Sequence, residues 1–126
     1  MKIQYMAEGS DDCPLVRLFD FDEQEISLLH ERLCELGEGS GEELELDAFP
    51  WVKTDGQLRL VFAVTERDVG INHDAAQAFV CRLTKQTWED VAGLTEPFLR
   101  DVTPGRHQWL DRTGDISLLL SPDGSW

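Results

Sequence analysis

The apolar residues of this chain fall into short alternating runs interrupted by two stripes of helical spacing. Leu15, Phe19 and Phe21 mark a strand over 15–21. Asp22 is a helix N-cap, and Glu25 three residues later completes a capping box. Ile26, Leu29, Leu33 and Leu36 then recur on one helical face, with Gly37 at the expected left-handed position after the last turn. Leu44, Leu46 and Ala48 alternate with Glu43, Glu45 and Asp47, as in a strand with one wet face. Asp55-Gly56 signals a turn. After it, Leu58, Leu60, Phe62 and Val64 lie on one face, with Val61 and Ala63 on the other, which predicts a central strand.

Residues 65–76 are polar and predict a loop. Phe79, Cys81 and Leu83 mark the next strand. Thr84 or Thr87 caps a second helix, whose stripe is Trp88, Val91, Ala92, Thr95, Phe98 and Leu99. Pro97 should end or kink that helix near Glu96. His107 to Leu110 and Ile116 to Leu120 predict two final strands, joined at Arg112-Thr113-Gly114.

The order strand, helix, strand, strand therefore occurs twice. W-V-K-T-D-G-Q-L-R-L-V-F at 51–62 aligns without a gap on W-L-D-R-T-G-D-I-S-L-L-L at 109–120, matching Trp51 with Trp109 and Gly56 with Gly114. The helices align at an offset of 62 and the hairpins at 58, the difference falling in a loop. The expectation is a single α+β domain over 1–126, a pseudo-twofold duplication of a β-α-β-β unit with repeats at about 15–64 and 77–121. A mainly antiparallel sheet would carry the two helices. One unit is too small to bury its helix and sheet faces alone. A groove between the halves would bring Trp51 opposite His107, Trp109 and Asp111, the candidate binding residues.

Charge narrows the classes of partner. The net charge is −14, and residues 1–50 hold 14 acids against 3 bases. Such a field repels phosphate backbones, which argues against nucleic acid, and attracts a basic protein. The longest apolar run, Leu60 to Val64, is far short of the about 20 residues of a membrane span. No secretory leader pattern opens the chain, and Cys13, Cys34 and Cys81 are odd in number and scattered, so a cytoplasmic location with reduced thiols is expected.

Chemistry-bearing motifs are absent. There is no G-x-G-x-x-G, no P-loop and no G-x-S-x-G, and G-E-G-S-G at 37–41 is flanked by glutamates that would repel a phosphate. His30, His73 and His107 stand apart, without the paired spacing of metal ligands. No catalytic residue, metal site or cofactor is assigned. These features favour a non-enzymatic protein-binding module. Its sharper form is an inhibitor or immunity-type protein that neutralises a basic partner. The rival is a small enzyme or ligand-binding protein using the groove between the repeats. An exposed sheet edge or apolar patch would instead favour a homodimer.

Overall fold

A computed structural model describes residues 1–75 and 78–126. Its elements are β1 (Lys2–Met6), β2 (Leu15–Phe19), α1 (Glu23–Glu38), β3 (Glu43–Glu45), β4 (Lys53–Thr54), β5 (Arg59–Val64), β6 (Gly70–Ala75), β7 (Ala78–Leu83), α2 (Lys85–Thr95), β8 (Gln108–Asp111) and β9 (Ser117–Ser121). Short 3₁₀ turns follow β3 at Leu46–Ala48 and α2 at Glu96–Leu99. The fold is α+β, with two helices packed on mixed sheets.

One sheet has the strand order β4-β1-β2-β9-β8 and the other β3-β5-β7-β6. Four pairings are antiparallel: β1 with β2, β3 with β5, β6 with β7, and β8 with β9. The two central pairings, β2 with β9 and β5 with β7, are parallel. The first sheet is thus completed by strands from the opposite end of the chain, whereas the second is drawn from residues 43–83 alone. β5 lies between β3 and β7, the central position its two apolar faces predict. Val16 and Leu18 of β2, Leu118 and Leu120 of β9, Leu60 and Phe62 of β5, and Phe79 and Cys81 of β7 point into one cluster, which the helix stripes complete.

Both helix starts follow the sequence. Asp22 accepts from the Glu25 N–H and Glu25 returns the bond to the Asp22 N–H, closing the predicted capping box. Thr84, rather than Thr87, caps α2. The α1 end differs from expectation. Gly39 (φ 80°), not Gly37, takes the left-handed cap position. Gly37 stays helical because α2 crosses there, its Cα face lying against the Glu89 backbone. Pro97 ends α2 at Thr95 and starts the 3₁₀ turn, so Phe98 still reaches the core. Trp88 is fully buried and its indole N–H donates to the Ala63 carbonyl at 2.9 Å.

Besides the strand read through Leu44, Leu46 and Ala48, which stops at Glu45 and gives way to the 3₁₀ turn at Leu46–Ala48, three segments depart from the predicted pattern. β1 was not among the predicted strands, although Ile3 and Tyr5 alternate in it. β6 occupies 70–75 of the stretch read as a loop; only Gly70 and Ile71 in it are buried, so its polar remainder hid it. The third is 51–62, read as a hairpin. β4 leaves β5 and pairs in parallel with β1, through Lys2 with Lys53 and Ile3 with Thr54. Residues 109–120, by contrast, do form an antiparallel pair.

The Gly37 crossing separates two opposing forces. Alanine at an ordinary helix position gains up to about 1 kcal/mol over glycine. A Cβ at Gly37, however, would sit 2.9 Å from the Glu89 Cα, a backbone atom that cannot swing aside. Gly37→Ala should therefore destabilise the domain by about 1–3 kcal/mol. A urea midpoint equal to or above that of the parent would contradict this account of the crossing.

Candidate functional site

The four candidate binding residues do not share a groove. Trp109 lies on the outer face of the first sheet, opposite Leu119 of β9, with the Arg112 guanidinium 4.1 Å above its ring. Arg112 in turn reaches Asp12 at 3.0 Å, and the other Asp12 oxygen accepts from the Trp126 indole at 3.1 Å. Trp109 is therefore a platform that fastens the acidic loop and the tail onto the sheet. His107 is exposed and meets Trp109 edge-on, with centroids 6.5 Å apart. Asp111 is buried and shapes its own turn, accepting from the Thr113 hydroxyl and N–H.

Trp51 has different surroundings. It stacks on Phe49 at 5.2 Å with planes 9° apart, beside α1. Pro50 and Trp51 are the central residues of a turn closed by the Val52 N–H donating to the Phe49 carbonyl at 3.1 Å, and the turn brings the two rings together. Leu28, off the buried stripe of α1 and 39% exposed, joins them. Leu28, Glu31, Arg32, Phe49 and Trp51 line a shallow depression of about 310 Å³. The Arg32 guanidinium lies 5.7 Å over the Phe49 ring and pairs with Glu35 at 3.0 Å. Leu28 and Phe49 were legible signals: an apolar residue outside the helical stripe, and an aromatic two positions from a tryptophan.

The helices set the charge around this depression. Both lack a basic residue in the last turn, so their carbonyl ends add to the negative field. Glu38, Glu89 and Glu96 surround a second depression along the helix crossing, which Cys34, Ala92 and Gly93 also line. Within the crossing, the Thr95 hydroxyl donates to the Ala92 carbonyl at 2.7 Å and leaves its oxygen to accept from His30 Nδ1 at 2.8 Å. That fixes the proton on Nδ1 and turns Nε2 toward Cys34 Sγ, 3.5 Å away.

A thiol beside an oriented imidazole has the geometry of an activated nucleophile. Its electrostatics are opposite. Burial pushes the Cys34 thiol up from its ordinary value, and Glu38, Glu96 and Glu31 push it further. The proton stays on sulfur and the pair acts as a structural hydrogen bond. Cys81, in the core, is raised well above its ordinary value, first by burial.

No protein family, curated protein or solved structure matches this chain. Among the described residues, no helix is long and apolar enough to cross a membrane.

The raised Cys34 thiol predicts slow alkylation. Its rate of reaction with iodoacetamide should rise with pH through a midpoint above that of an ordinary thiol. Glu38→Gln with Glu96→Gln should move the midpoint down by removing two of the repelling charges. A midpoint at or below the ordinary value in the parent protein would refute the assignment.

Proposed function

We propose that the domain is a non-enzymatic protein-binding module that docks a basic partner through the depression lined by Leu28, Phe49 and Trp51 and the acidic helix face around it. The observation that carries this reading is the stacked Phe49–Trp51 pair, half-buried beside an exposed leucine and Glu31. Binding energy in protein interfaces concentrates in such aromatic anchors, with a charged rim setting encounter rate and specificity. The rim charge of α1 suits a lysine- or arginine-rich surface. If that partner is an enzyme, the module is an inhibitor or immunity-type protein and the same residues do the work.

The groove between repeats, as the basis of an enzyme, loses its support. Trp51 and Trp109 have unrelated neighbours, and Asp111 spends its carboxylate on a turn.

The test is capture from native lysate at low salt, with the captured protein then purified and its affinity measured. Trp51→Ala should weaken binding by about 2 kcal/mol or more, roughly thirtyfold. Glu31→Lys with Glu35→Lys should chiefly slow association and flatten the salt dependence. Capture unaffected by both changes, or a homodimer that occupies this face, would end the proposal.

A further inference from the structure

The outer face of the first sheet carries a concentration of cations that the rest of the chain does not. Register places Lys2 opposite Phe19 and Gln4 opposite Arg17 on β1 and β2, and Lys2 beside Lys53 on β4. All five side chains project away from the core, since Ile3, Val16, Leu18 and Val52 project into it. With Thr54 and Asp55 they line an open pocket of about 370 Å³. In a protein of net charge −14, this lining holds three cations against one carboxylate.

Two features make the arrangement specific. Lys2 and Lys53 are lateral neighbours of like charge, a placement that weakens a sheet unless an anion offsets it. Asp20 pairs with Lys2 at 3.0 Å from outside the lining; Lys53 makes no ion pair among the described residues. The second feature is Arg17. Its guanidinium is held rigidly, 4.2 Å over the Phe19 ring, with Nε and Nη2 donating to Gln4 Oε1 and Nη1 to the Gly124 carbonyl. Every one of those partners is neutral. Three of five N–H donors are used, which leaves one on each terminal nitrogen for a ligand. A preorganised fork without a carboxylate, beside two ammonium groups, is the usual receptor for a tetrahedral oxyanion.

We infer that this pocket binds a small phosphate monoester with a polar body, its phosphate between Arg17, Lys2 and Lys53. The lining holds three cations against Asp55, and although Asp20 draws on Lys2 from outside, Arg17 and Lys53 are left without a carboxylate partner among the described residues to meet the two charges of a phosphate monoester. The pocket is larger than a phosphate alone needs, and Gln4, Thr54 and Asp55 offer amide, hydroxyl and carboxylate partners to the remainder. The site is independent of the protein-docking depression, and failure of one leaves the other standing.

The test is a two-dimensional amide NMR titration with inorganic phosphate and with glycerol 3-phosphate, chloride balancing the ionic strength. Saturable shifts should concentrate on residues 2–4, 17–19 and 53–55, with the ester binding more tightly. Lys53→Glu, a surface change whose spectrum itself reports folding, should weaken affinity about tenfold or more; Arg17→Lys should also weaken it by losing the fork. Absence of saturation in the parent protein, shifts scattered over other arginines, or equal affinity in Lys53→Glu would overturn the assignment.

Discussion

The parallel pairing of β2 with β9 and of β5 with β7 is the constraint on which the structure rests. Residues about 100 apart in sequence lie side by side in one sheet, as Leu15 does with Ser117. The first sheet lacks its central pair until both ends of the chain are present, whereas the second closes its own between residues 59 and 83. The same pairing brings the two helices together, because each helix follows one of the central strands. Gly37 then meets Glu89 and His30 meets Ala92 and Thr95, an antiparallel crossing that closes the core. Local signals start the elements, but these long-range pairings decide which face of each element becomes interior. Such topologies fold more slowly than chains of local contacts.

Much of the architecture was legible. The helix stripes, the Asp22 and Thr84 caps, the break at Pro97 and the central position of β5 all follow from local spacing. The misread parts are those in which tertiary contact overrides local pattern. β6 has no alternation to announce it; it exists because β7 offers an edge and Ile71 reaches the core. The segment around Trp51 resembles that around Trp109 in sequence, yet the two strands flanking its turn part, β4 to the first sheet and β5 to the second. A turn dipeptide fixes a change of direction and does not fix which edge the strand after it will find. The candidate site was less legible for a related reason. Trp51 could be singled out, but Leu28 and Glu31 become its neighbours only once α1 is placed beside the 49–51 segment.

Charge is sorted by layer as well as by sequence. The acids of α1 and α2 face outward along the helix crossing, and Arg17, Lys2 and Lys53 collect on the outside of the first sheet. A net charge therefore describes this molecule poorly, since its acids and these cations gather on different faces. The same sorting explains why Cys34, although oriented by His30, stays a protonated thiol.

The link between the chain's halves is the stretch 65–69, and everything else that joins them is non-covalent. Asp68 pins that stretch by accepting from the Thr84 N–H and the Thr87 hydroxyl, both at 2.8 Å, bonds that hold its carboxyl below the usual range. Together with the Thr65 N–H to Leu83 and Val69 N–H to Arg82 carbonyl bonds, Asp68 fastens the connector to the end of β7 and the start of α2, so the path out of β5 is dictated by residues that follow it in sequence.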